Sequence, residues 1–101
     1  MKVDFTDAAT EDLAEIGRYI VEHNPSRALS YLEELRQACL EIAEMPEAFV
    51  MLSSVRSRRL RKRVFGRYLI FYTTENRLVT IVRIMSGLRD YERILEKGSR
   101  T

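Results

Sequence analysis

The chain has 101 residues, 46% of them hydrophobic and 32% charged, with a formal net charge of +2. This is the composition of one ordinary globular domain around one core, and it excludes a disordered chain. The small net charge hides a split: residues 1–50 carry 4 Lys and Arg against 11 Asp and Glu, while residues 51–101 carry 13 against 4, balances of −7 and +9. Such a split predicts an interaction surface in the basic half, attraction between acidic helices and a basic sheet within the chain, or both.

A single cysteine, Cys39, leaves no intramolecular disulfide to form. It falls in an apolar helical stripe, so a buried free thiol in a reducing compartment is expected. The opening Met1-Lys2-Val3-Asp4 lacks the apolar run of a secretory signal. No stretch nears the roughly 20 apolar residues of a membrane span. The expected location is the cytoplasm.

Val3 to Phe5 reads as a short strand, and Thr6 or Asp7 as the N-cap of a first helix with Glu11 and Asp12 in its early turns. Ala9, Leu13, Ile16 and Ile20 recur at helical spacing, and His23-Asn24-Pro25 ends the run. Asn24 is then a suitable N-cap for a second helix, with Pro25 at its first position, where a missing N–H costs nothing. Its stripe is Ala28, Leu32, Leu35, Cys39 and Ile42, and Met45-Pro46 stops it. Residues 47–57 read as a loop. From Arg58 the period becomes two, with Leu60, Lys62 and Val64 on one face and Arg59, Arg61, Arg63 and Phe65 on the other. Gly66 marks a turn, and Tyr68 to Tyr72, apolar on both faces, suits a central strand. Thr74-Glu75-Asn76 is a turn, Leu78 to Met85 another strand, and Asp90 the cap of a short tail helix through Leu95.

The fold class is therefore α+β: a short N-terminal strand, a helical hairpin packed on one face of a small, mainly antiparallel twisted sheet, and a short C-terminal helix. One domain spans residues 1–96, with a polar tail over 97–101.

Chemical signatures are sparse. There is no Gly-rich phosphate loop, no Cys/His set at metal spacing and no Ser-His-Asp set. No cofactor is expected. The strongest local feature is basic: seven of the twelve residues from Arg56 to Arg67 are Lys or Arg, and Tyr68 and Tyr72 follow. This reads as an electrostatic platform for nucleic acid or an acidic protein segment, or as a strand whose charge guards an edge against aggregation. Arg83 interrupts an apolar strand, on one face with Val79, Ile81 and Met85. A buried guanidinium needs a carboxylate, from a helix Glu of the same chain or from a partner. Arg89 and Asp90 follow Ser86-Gly87-Leu88, and Tyr91, Ile94 and Leu95 form a short apolar stripe fit to dock on the core or on a partner.

The run Gly66-Arg-Tyr-Leu-Ile-Phe-Tyr72, followed by Ile81-Val-Arg-Ile-Met-Ser-Gly-Leu-Arg-Asp90 and Ile94-Leu95, resembles the ParE branch of the RelE/ParE toxin superfamily. Ala9, Asp12-Leu13, Ile16 and Tyr19-Ile20 are similar to the family's first helix, and Ala28, Leu32, Leu35, Ile42 and Pro46 to its second. Met85-Ser86 departs from the Leu-His that many relatives have there.

The resemblance implies the toxin of a type II toxin–antitoxin pair, and the superfamily divides by activity. RelE-type members resemble ribonucleases that cut messenger RNA on the ribosome. With Tyr72 on the matching strand tyrosine, RelE's catalytic strand arginine falls at Leu69 and its tail tyrosine at Leu95, while Lys62 and Arg89 match basic positions. Leucine can neither move a proton nor stabilise a phosphorane. The resemblance thus points to ParE, which poisons DNA gyrase by binding, with no catalytic residues of its own. It also implies a ParD-type antitoxin, with a DNA-binding dimerisation domain and a segment that wraps the toxin; operator DNA would be reached only through it. The candidates for contact with antitoxin or target are Arg58, Arg59, Arg61, Lys62, Arg63, Arg67, Tyr68, Tyr72, Arg83, Arg89 and Tyr91. The alternatives are a ribosome-dependent endoribonuclease using Lys62, Arg89 and Tyr68 or Tyr91, and a non-toxic relic that only binds its antitoxin.

Overall fold

Thr6 fixes the start of the architecture. In this computed structural model, which describes residues 1–52 and 59–87, its backbone is extended and its Oγ1 accepts from the Ala9 N–H at 3.0 Å. That N-cap contributes about 1 kcal/mol. The same hydroxyl donates to the Val82 carbonyl at 2.8 Å, and the Thr6 N–H donates to Ile81 at 3.0 Å. One residue thus closes strand β1 (Lys2–Phe5), opens helix α1 (Asp7–His23) and fastens both to strand β5 (Leu78–Ser86).

The connection between the helices differs from expectation. Pro25–Arg27 forms a 3-10 turn and helix α2 begins only at Ala28, running to Glu41. The Asn24 side chain makes no N-capping bond; its Oδ1 accepts from the Ser26 hydroxyl at 3.2 Å. The proline still sits at the first helical position, but of the tighter turn. The hairpin packs closely at Gly17, where an added Cβ would lie 3.0 Å from Leu32 Cδ1.

Strands β2 (Val50–Met51), β3 (Arg61–Phe65) and β4 (Tyr68–Glu75) complete a five-stranded sheet in the order β1-β5-β4-β3-β2. Only β1 pairs in parallel, with β5, and the rest is antiparallel. Strand β2 lies inside the segment expected to be a loop. It pairs just Val50 with Lys62 and Met51 with Arg61, and two residues are too few to display a period.

Strand β4 is central, and Tyr68 to Tyr72 are all buried, as its two apolar faces require. Tyr68, Ile70 and Tyr72 join Ile16, Ile20, Leu35, Cys39 and Ile42 in the helix-side core. Leu69 and Phe71 join Leu60, Val82 and Met85 on the opposite face.

The β3–β4 turn has Gly66 at φ +58°, where a Cβ would also meet the Tyr31 hydroxyl at 2.9 Å. The next turn falls one residue later than expected, at Asn76 and Arg77 with φ 52° and 62°. Two left-handed residues in a two-residue hairpin loop make a type I′ turn.

A bulge corrects the expected face of β5. Tyr72 lies opposite Ile81 but Phe71 lies opposite Arg83, so Val82 is an extra residue. An inserted residue shifts a period-two pattern by one. Val79 and Ile81 therefore face the helices, while Met85 packs on the other side with Leu60 and Phe71. The tail helix expected from Asp90 lies outside the described residues.

Candidate partner-binding site

The basic strand divides by what its side chains already hold. The Ile42 N–H bonds Cys39 and Leu40 as α2 tightens into a 3-10 turn (Ile42–Glu44), and the Ala38 carbonyl accepts instead from Arg63 Nη1 at 2.6 Å. The same nitrogen lies 3.3 Å from Glu41 Oε1, and the guanidinium covers the Phe49 ring at 5.0 Å. Arg61 Nη1 donates to the carbonyls of Glu47 and Phe49, at 3.2 and 2.7 Å. Tyr72, fully buried, donates to Pro46 at 2.5 Å, and burial raises its pKa. Three of the candidate contact residues thus anchor the end of α2 and the segment after it to the sheet.

Arg83 is likewise held within the chain, by an Asp on α1. Its Nε and Nη2 donate to Asp12 Oδ2 and Oδ1 at 2.7 and 2.9 Å, and Oδ2 also accepts the Ile84 N–H at 2.9 Å. The carboxylate bonds hold the guanidinium's pKa above its ordinary value. Beyond Ile81, where β1 ends, Asp12 takes over the exposed edge of β5. This pair and Arg63–Glu41 are the salt bridges among the described residues that join the basic half to the acidic half.

Arg59 and Arg67 are exposed and form no salt bridge among the described residues. Lys62 is half-buried on β3, next to exposed Val64. Arg58, Arg89 and Tyr91 lie outside the described residues.

Tyr68 leads to a feature that patterning missed. It and Arg67 line two adjoining pockets of about 280 and 290 Å³, which share Tyr19 as well and form one groove between α1 and the end of the sheet. Asp12 and Glu15 stand at one end, over a floor of Ile16 and Ile84. His23, Arg27 and Tyr31 stand at the other. Along α1, Glu15, Tyr19 and His23 repeat every four residues and form one exposed wall. Its rings are stacked, with Tyr19 and His23 centroids 4.0 Å apart and His23 Nδ1 2.8 Å from the Tyr19 carbonyl, which requires the proton on Nδ1. Across the groove, Tyr31 lies 6.0 Å from Tyr68, and burial raises the pKa of both phenols. Both remain neutral hydrogen-bonding groups near neutral pH. The spacing of Glu15, Tyr19 and His23 beside the apolar stripe is the signal that could have marked this wall.

The groove has charged residues of both signs on its rim and an apolar floor. Among the described residues no group of three or more His, Cys, Asp and Glu could hold a metal. Cys39 is buried and its thiol is pushed up to about 12 by burial, against the opposing field of Arg63, so it supplies no thiolate near neutral pH. No helix among the described residues is long and apolar enough to cross a membrane.

The family model for the ParE toxin of type II toxin–antitoxin system, parDE, matches residues 3–91. The chain belongs to this family. Its fold is similar to a solved chain described as "Chromosomal ParDE TA system from P. aeruginosa", with a TM-score of 0.74 and 18% identity over 85% of this chain and 95% of that one. No curated protein matches it. Membership in the ParE family gives the chain an antitoxin as partner.

Proposed function

We propose that this ParE-family chain acts by binding, as an inhibitor of DNA gyrase that a ParD-type antitoxin neutralises. Leu69 carries the reading. It occupies the position where the resemblance to RelE puts a catalytic arginine, and it is buried on the sheet face away from the helices, among Leu60, Phe71, Val82 and Met85. A leucine in an apolar cluster can neither transfer a proton nor neutralise a phosphorane, so the ribonuclease chemistry has no group to act at that point. Arg61, Arg63 and Tyr72 are occupied with the chain's own carbonyls, which further thins the set of polar groups open to a reacting phosphate.

Arg59, Arg67 and the basic excess of the second half favour an acidic partner surface through long-range attraction, which speeds encounter more than it tightens the complex. DNA would be reached through the antitoxin. This reading puts the chain's work in the cytoplasm, where gyrase and its DNA are. The test against the ribonuclease reading is direct. Message translated on ribosomes should stay intact with excess chain, whereas codon-linked cuts that vanish on Arg89→Ala would assign the RelE activity instead.

A further inference from the structure

The pocket beside α2 gathers hydrogen-bond donors with no acceptor to receive them. Tyr68 is only 5% exposed and lines this pocket, yet its hydroxyl makes no hydrogen bond among the described residues. The Tyr31 hydroxyl makes none either, and it lies against the β3–β4 turn, 2.9 Å from where a Cβ on Gly66 would stand. Among the described residues no buried side-chain nitrogen or oxygen lacks a partner, so both hydroxyls open onto the pocket they line. Arg67, next to Gly66, lines it too and forms no salt bridge among the described residues. Its positive charge reaches both phenols, opposing the rise that burial gives their pKa. None of the residues lining this pocket is acidic, whereas Asp12 and Glu15 line its neighbour. Arg27, paired with Glu34, covers the Tyr31 ring at 5.3 Å, and Phe65 stacks on that ring at 6.0 Å, which holds the phenol in place.

We infer that this pocket is an anion site for a phosphate group, held by the Arg67 guanidinium and the Tyr31 and Tyr68 hydroxyls. The inference goes beyond gyrase inhibition and does not rest on it. The guanidinium brings a fork of N–H donors and each phenol an O–H, from a turn, a helix and a strand. A carboxylate offers its oxygens in one plane, whereas a phosphate spreads them tetrahedrally and so suits donors that converge from three elements. Donors already held by packing lose little freedom on binding, and the burial of Tyr68 strengthens its bond to a charge. A small phosphate ester and a nucleic-acid backbone share this chemistry.

The test titrates the full chain by calorimetry, in buffer free of phosphate and sulfate, with inorganic phosphate, a sugar phosphate monoester and a short single-stranded DNA. The unmodified chain should bind phosphate saturably, in the millimolar range or tighter. Tyr68→Phe, which keeps the ring, and Arg67→Gln should each weaken that binding by about tenfold. Arg59→Gln removes the same charge from an exposed position that does not line the pocket, and it should leave binding unchanged. Thermal melts of each variant check folding. Tighter binding of the DNA than of the monoester, lost with Tyr68→Phe, would support the site and assign its phosphate to a nucleic-acid backbone; the reverse order would support it as a site for a small ester. Acetate that binds as tightly as phosphate would overturn the choice of anion. Equal losses in Arg59→Gln and Arg67→Gln would reduce the effect to net charge, and no saturable binding of any probe would overturn the site.

Discussion

Asp12 and Arg83, 71 residues apart in the chain, form a two-pronged ion pair at 2.7 and 2.9 Å that joins α1 to β5 just beyond the end of β1. The carboxylate is buried and also accepts the Ile84 N–H. Removing it leaves a half-buried guanidinium and a buried backbone donor without partners. Asp12→Ala should therefore lower stability by about 3 kcal/mol, within the range for breaking such a pair, measured by urea denaturation. A loss below about 1 kcal/mol would mean the site relaxes by admitting water.

The arginines of β3 and of its turn should behave differently. Arg63→Ala orphans the Ala38 carbonyl and uncovers Phe49. A loss of about 2 kcal/mol is expected. Arg67→Ala touches no salt bridge among the described residues, and its stability should change by less than about 0.5 kcal/mol. Equal losses in the two variants would mean that Arg63 anchors the fold no more than Arg67 does.

Arg77 holds φ 62° in the type I′ turn with no glycine to ease it. A left-handed non-glycine residue costs about 1–2 kcal/mol, of which glycine's greater chain entropy takes back part. Arg77→Gly should raise the melting temperature by about 2–6 °C. A lower melting temperature would show that the side chain contributes more than its backbone costs.

Cys39 gives a pH prediction. Its folded thiol, raised to about 12, holds its proton where the unfolded thiol has lost it. The contribution is complete below the unfolded pKa of about 8.5 and is lost as pH rises from there toward 12. At pH 8 a thiol-reactive probe should label the native chain far more slowly than the urea-unfolded chain. Similar rates would place the thiol at the surface.

Most of the fold was legible because its elements carry long, unambiguous patterns. The stripe from Ala9 to Ile20, the Thr6 cap and the doubly apolar Tyr68–Tyr72 each follow from local chemistry, and each is found in place. What stayed hidden depended on pairing. The two residues of β2 have no period of their own, and the Val82 bulge, which sends Met85 to the far face, exists only because β4 and β5 meet in that register. The site was legible by half. Charge density drew attention to Arg61 and Arg63, but only the tertiary structure reveals the carbonyls they hold. The Glu15–Tyr19–His23 wall was present in the sequence at four-residue spacing, yet it becomes a groove only once Arg67 and Tyr68 arrive from the sheet.

The central claim, action by binding to gyrase, is tested most directly by supercoiling of relaxed plasmid with purified gyrase, the chain, and the antitoxin added or withheld. Supercoiling should fall or cleaved DNA accumulate as the chain is titrated, and the antitoxin should restore normal turnover at stoichiometric amounts. Gyrase that works unchanged in excess chain would contradict the account.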